Sequence, residues 1–319
     1  FSIPQCWRYE RMQKGRGREH FQWNVDIWGT NEISADAELF SVLTTFLESV
    51  GLTEEDVVIR VSSRKVLEEI LGALGITGDL FAKTCIIVDK MDKLSPEVID
   101  EQLTELGHDS KVIATIQSTL GLKHLNSLKK VLKPDSAALS ELTQLFEAID
   151  AYGISNWVEF DASIVRGLAY YTGSVFEVND RKGKFRAICG GGRYDKLLST
   201  LGGKDLPATG FGFGDMVIME LLKDKGLIPH LLSGVEDVVI ALDPNLKNIA
   251  VKVASVLRDS ERLVDLVLEN KKMKWAFKHA ERDAANRIIL VAPEEWSREK
   301  IKVKDLQSGE EFETTLEEI

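Results

Sequence analysis

Cysteine is scarce: Cys6, Cys85 and Cys189 are the three in 319 residues, and no CxxC pair occurs. That argues against a disulfide framework or a cysteine zinc site and for a reducing compartment. The five histidines (His20, His108, His124, His230, His279) show no HxxxH or similar spacing, so no protein metal site is expected. No apolar run approaches the roughly 20 residues that span a bilayer, and no membrane partner is expected. Basic residues are outnumbered, 40 Lys and Arg against 51 Asp and Glu, a balance of −11. A nucleic-acid partner would therefore need a local basic surface. A starting methionine is missing too. The chain opens on Phe1, almost directly into a strand, which reads as a fragment whose targeting peptide, if any, went with the missing end. What is present is a soluble globular composition, 44% hydrophobic and 29% charged, long enough for two domains.

The stretch Arg8–Gly29, RYERMQKGRGREHFQWNVDIWG, reads as two strands joined by a basic, glycine-containing loop. On the second strand Phe21, Trp23, Val25 and Ile27 alternate with Gln22, Asn24 and Asp26, giving one apolar and one hydrogen-bonding face. On the first, Arg8 and Glu10 share a face. Arg8 to Arg18 holds five basic residues and one acidic, a local +4 inside an acidic protein. That suggests an anionic ligand, a polyphosphate or a nucleic-acid end. A solvated hairpin tip is the plain alternative.

Further along, helical spacing predicts a helix over Ala35–Val50 stopped by Gly51, a strand over Val57–Val61, and a helix capped by Ser62 or Ser63. From about Gly78 to Gly153 the chain turns leucine-rich and helical, with Cys85–Val88 its last strand-like run, and reads as an insertion of three to five helices. Ser95-Pro96 and Pro134-Asp135-Ser136 are helix starts within it. Strands return at Val158. Phe185–Cys189 is expected as a strand, Gly190–Gly192 as the turn after it, and a helix from Tyr194. Ala208–Phe213 is expected as a strand, followed by a helix capped by Asp215 and stopped at Gly226. Turn-separated strands favour an antiparallel sheet with helices on one side. After a linker at Pro229–Val235, strands and helices alternate through Ala292, and a hairpin follows, turning at Ser308-Gly309. This is a separate α/β domain with three strands expected to be parallel. The organisation is thus 1–77 and 154–230 as one core, 78–153 as an insertion, and 236–319 as a terminal domain.

Besides Arg8–Gly29, three stretches carry more glycine and polarity than packing requires: Arg166–Gly173, CGGGRYD at Cys189–Asp195, and GFGFGD at Gly210–Asp215. An Arg-Gly pair followed by two tyrosines allows close approach of an anion, or else a structural Arg–carboxylate pair. Three glycines allow backbone approach to a ligand, or form a tight turn. GFGFGD falls short of the GxGxxG dinucleotide pattern and has no βαβ unit before it.

Taken together and in this order, these stretches resemble the histidyl-tRNA synthetase family of class II aminoacyl-tRNA synthetases. CWRYERMQKGRGREHFQWNVDIWG resembles the second class motif, IVRGLAYYTGSVFE and GGGRYDKL the two histidine signatures, and GFGFGD the third class motif. The resemblance spans essentially the whole chain and is nearest to plant organellar and bacterial members. It implies an α+β fold: an antiparallel catalytic sheet with a helical insertion, plus a C-terminal α/β anticodon-binding domain. It implies that histidine is activated with ATP and its Mg2+ and transferred to tRNA(His), in a homodimer when full-length. Arg8 and Arg166 are then the catalytic cations at the α-phosphate and substrate carboxylate. Glu10, Arg11, Arg16 and Arg18 serve ATP or the tRNA end. Gln22 holds the histidine backbone groups, and Asp26 and Tyr171 read the imidazole nitrogens with Tyr170 lining the pocket. One imidazole nitrogen donates and the other accepts, so an acceptor–hydroxyl pair can discriminate it.

Three departures stand against the family pattern. The first class motif and the early Thr-Pro-Glu-type loop are absent and would lie before Phe1. The third motif's ATP-clamping arginine aligns with Val217. A non-catalytic relative sensing histidine or tRNA is the rival from another class. Retention of Arg8, Gln22, Arg166 and Tyr171 favours the enzyme. The spelling of the motifs points to plastid or mitochondrion, with cytoplasm as the alternative.

Overall fold

The computed structural model describes residues 1–91, 94–164, 170–229 and 234–319. The chain divides into two compact units, Phe1–Ile228 and Pro229–Ile319.

The first unit is built on a seven-stranded sheet: β1 (Gln5–Trp7), β2 (Glu19–Trp28), β3 (Val57–Ser63), β4 (Val158–Phe160), β5 (Ser174–Asp180), β6 (Cys189–Arg193) and β7 (Ala208–Gly214). Their order is β1-β2-β7-β6-β5-β3-β4, and every neighbouring pair is antiparallel except β3 with β4. The helices are α1 (Ser34–Ser49), α2 (Arg64–Ala73), α3 (Gly78–Val88), α4 (Pro96–Glu105), α5 (Ser110–Leu120), α6 (Leu125–Leu128), α7 (Ala137–Ala151), α8 (Leu197–Thr200) and α9 (Asp215–Lys225).

Alternation in the strands decides which sheet face becomes core. Trp23 and Val25 of β2, Phe211 and Phe213 of β7, Phe176 and Val178 of β5, and Ile59 and Val61 of β3 all belong to one hydrophobic cluster. Phe40, Leu43 and Leu47 of α1, Leu142 and Leu145 of α7, and Leu221 of α9 complete it. Full burial of a side chain such as Phe40, packed edge-on to Phe176 with centroids 4.7 Å apart, contributes about 1.5–3 kcal/mol. Phe21 is the exception in its row: half exposed and outside the cluster, because it lies where β2 pairs with the short β1. A second cluster joins Leu67 and Leu71 of α2 to Phe81, Ile99, Leu103 and Ile116 of α3–α5. Ser63 caps α2, and Ser136 caps α7 at the Leu139 N–H. Gly51, Gly153 and Gly226 stop their helices with positive φ.

Four local expectations fail. Cys85–Val88 is the last turn of α3, not a strand, because Phe81, Cys85 and Val88 bury a helical stripe against α2. Arg8 and Glu10 do not share a strand face, since β1 ends at Trp7 and both residues lie in the loop. The strand near Phe185 starts only at Cys189, so Gly190–Gly192 lie inside β6, and no long helix follows Tyr194. Asp215 is the first residue of α9 and makes no capping bond.

In the second unit, β8 (Asp237–Ala241), β9 (Val264–Leu266), β10 (Arg287–Val291), β11 (Ile301–Asp305) and β12 (Glu311–Thr314) run in the order β12-β11-β10-β8-β9. The strands β9, β8 and β10 are parallel, and the hairpin is antiparallel. Helices α10 (Lys247–Asp259), α11 (Met273–Arg282) and α12 (Pro293–Trp296) complete the unit. Val239 and Ile289 pack on Val253 and Leu257 of α10, while Val238, Ile240 and Ile288 pack on Ala276 and Ala280 of α11. Asp237 is fully buried. Burial alone would raise its pKa, but hydrogen bonds from Arg262 and Arg287 outweigh it and hold the carboxyl below its usual range.

Candidate active site

The sheet face opposite the core carries His20, Gln22, Asn24 and Asp26 from β2. Register sets Gln22 against Gly214, Asn24 against Gly212 and Asp26 against Gly210. Across the next pair, Gly212 meets Gly190 and Gly210 meets Gly192. The glycines of both runs thus fall in one patch where β2 contributes side chains and β6 and β7 contribute backbone. A Cβ on Gly212 would lie 2.8 Å from Gln22 Nε2, and one on Gly210 would overlap both Asp26 Oδ1 and the Tyr194 hydroxyl. Glycine is required here to seat the β2 polar row against the sheet.

Tyr194 donates its hydroxyl proton to Asp26 Oδ1. Burial first, and then the Asp26 carboxylate, push the Tyr194 phenol upward, so it stays protonated and a donor. Tyr170, Tyr171 and Tyr194 form a ring cluster, with centroids of the first two 4.3 Å apart and Tyr171 6.4 Å from Tyr194. Tyr171 is 7% exposed and Tyr170 44%. Beneath them the buried Arg193 guanidinium is held by Asp36 and by the Thr30 and Glu32 carbonyl oxygens, tying β6 to the start of α1.

At the other end of the row lies the basic loop. Its base closes through the Arg8 N–H to the Arg18 carbonyl, 2.8 Å, and its tip through Gln13 and Arg16, with Gly15 at φ +70 in the turn. Arg8 Nη2 donates to His20 Nε2 at 2.6 Å. A guanidinium only donates, so that ring nitrogen is the acceptor. Arg16 pairs with Glu10. Arg18 donates to the Glu10 carbonyl and lies over the Tyr9 ring. A cleft of about 330 Å³ opens here, lined by Arg8, Arg16, His20 and Gln22 of the loop and β2, by Arg186, and by Val217 of α9. Burial lowers the Arg16 pKa, and the Arg186 and Arg8 charges lower it further. Three cations therefore face one space.

Of the expected site residues, Arg8, Arg16 and Gln22 meet at this cleft. Asp26 stands further along the same strand face, against Tyr194. Tyr170 and Tyr171 line a broader, adjoining cleft of about 1890 Å³ that shares Arg186 with the first. Glu10 and Arg18 serve the loop itself, Arg11 is exposed, and Arg166 lies outside the described residues. Sequence reasoning gave no role to His20, Arg186 or Tyr194. His20 and Tyr194 carried a signal, one as the next member of the even-numbered face of β2, the other inside GGGRYD.

A mainly antiparallel sheet with α1, α7 and α9 packed on one face and a cationic, glycine-floored site on the other is the arrangement of a class II aminoacyl-tRNA synthetase. Residues 1–215 match the family described as histidyl-tRNA synthetase, and residues 237–319 match the anticodon binding domain family. The chain belongs to the histidyl-tRNA synthetase family. It is 51% identical over its full length to the chloroplastic/mitochondrial histidine–tRNA ligase of Arabidopsis thaliana, and spans 66% of that protein. It is 35% identical over its full length to the histidine–tRNA ligase of Opitutus terrae, of which it spans 74%. The solved histidyl-tRNA synthetase from Nostoc sp. PCC 7120 matches with a TM-score of 0.73 at 25% identity, over 98% of this chain and 74% of that one.

Proposed function

We propose that the full-length protein ligates L-histidine to tRNA(His) through a histidyl-adenylate, using ATP with its Mg2+. A histidine carboxylate oxygen attacks the α-phosphorus, and the bond to the β-phosphate breaks to release pyrophosphate. The terminal ribose hydroxyl of the tRNA then attacks the adenylate carbonyl and releases AMP. Negative charge grows on the phosphate oxygens in the first step. Cations already held there stabilise the transition state more than the ground state.

Arg8, held by buried His20, meets that need at the cleft, and Arg166 is its partner cation. Arg16 and Arg18, with Glu10 and Arg11, orient ATP and the tRNA end. Gln22 holds the histidine amino and carboxylate groups, Asp26 and Tyr171 read the imidazole nitrogens, and Tyr170 lines the pocket. Residues 1–77 and 154–230 form the catalytic core, 78–153 the insertion, and 236–319 the anticodon reader. The protein works as a homodimer in plastids or mitochondria, in keeping with the name of its Arabidopsis thaliana relative.

The observation that carries this reading is the alignment of Gln22 and Asp26 over a floor of glycines that ends at the cations. ATP–pyrophosphate exchange tests it. Exchange should depend on histidine and be absent with the other amino acids; no histidine-dependent exchange overturns it.

A further inference from the structure

We propose that Arg186 clamps the outer phosphates of ATP in this protein, doing the work that the third motif elsewhere assigns to an arginine on α9. The inference rests on reading the cleft as the adenylation site.

Val217 lines the cleft but cannot supply that charge. It is 8% exposed and part of the hydrophobic core. Gly15 of the basic loop sits on it: a Cβ there would lie 3.2 Å from Val217 Cγ2. The loop thus packs against α9 at Val217.

Arg186 lies on the connection between β5 and β6 and lines the same cleft as Arg8, Arg16 and Val217. Its polar contact is neutral, Nη1 to Gln13 Oε1 at 3.5 Å, and among the described residues no carboxylate pairs with it. Other cations nearby are neutralised. Arg181 pairs with Glu159, Lys184 with Asp224, Lys14 with Glu220, and Arg16 with Glu10. Arg186 and Arg8 are therefore the cleft guanidiniums left without a carboxylate among the described residues. Arg8, Arg16 and Arg186 line one cleft, where burial and then the Arg186 and Arg8 charges lower the Arg16 pKa. Converging like charges is unfavourable in the empty cleft and becomes favourable when a polyanion arrives. The Gln13 contact ties Arg186 to the loop, so a phosphate bound there would join the loop to the sheet.

The test is ATP–pyrophosphate exchange on the full-length protein, with direct binding of ATP and AMP. Arg186→Ala should raise the ATP KM about tenfold or more, the scale of one charge-assisted hydrogen bond. The histidine KM should change less than about twofold, AMP binding should stay unchanged, and Arg186→Lys should recover part of the loss. Arg186 is exposed, so thermal unfolding should be unchanged. An unaltered ATP KM in Arg186→Ala, or equal weakening of ATP and AMP, overturns the assignment while wild-type exchange upholds the adenylation reading. Absence of histidine-dependent exchange in the wild type overturns both.

Discussion

One hydrogen bond, from Tyr194 to Asp26, orients the carboxylate that the proposed function assigns to reading histidine. A carboxylate on an exposed strand face is free to rotate; here one oxygen is occupied by a phenol whose proton is locked on by burial and by that same carboxylate. The other oxygen remains for a ligand donor. Tyr194→Phe should raise the histidine KM about tenfold with the ATP KM unchanged, as measured by exchange kinetics. Asp26→Asn should likewise weaken histidine binding and leave ATP affinity nearly unchanged; equal losses of both would contradict a side-chain reading role. That Gln22 and Asp26 share one face was legible because a strand repeats every two residues. His20 belongs to the same row, but a histidine beside a basic loop shows its partner, Arg8, only once the loop has folded back.

At the scale of elements, the glycine runs of β6 and β7 are the feature most easily misread. Three glycines in sequence resemble a turn, since isolated glycines usually mark one. In this sheet they are strand residues, kept small by what lies across from them: a Cβ on Gly191 would overlap the Gly210 carbonyl, and one on Gly210 would overlap Asp26. That requirement is set by strands far away in sequence and leaves no local trace. Gly210→Ala should therefore destabilise the protein by about 1–3 kcal/mol, the cost of overpacking, and weaken histidine binding by displacing Asp26. Thermal unfolding and calorimetric titration would measure the two effects. Cys85–Val88 misled for the related reason that a short apolar run has no period of its own. Its packing against α2 decided the matter.

At the scale of the whole molecule, each unit has its own core and its own sheet. In the sequence, the change to alternating strands and helices after Pro229 spans many residues. In the second unit, Asp237 makes stability depend on pH. Its folded pKa is depressed, so its contribution is present above the unfolded value of about 3.9 and is lost as pH falls through the lower folded value. Asp237→Asn should remove that acid-side dependence and cost about 3 kcal/mol or more at neutral pH, since Arg262 and Arg287 lose their counter-charge. Denaturation curves at several pH values would show both. On the proposed reading of the second unit as the anticodon reader, removing 229–319 from the full-length protein should abolish tRNA charging while leaving histidine-dependent exchange.

The proposed function has Arg8 and Arg166 act on one phosphate beside the glycine-floored row. It is tested most directly by single-turnover adenylate formation in Arg8→Ala, Arg166→Ala and the double variant. Each single change should slow the step by about 10²–10³-fold, with the fold intact, and the double should lose less than the product of the two. Unchanged kinetics in Arg166→Ala would show that Arg166 does not act on that phosphate.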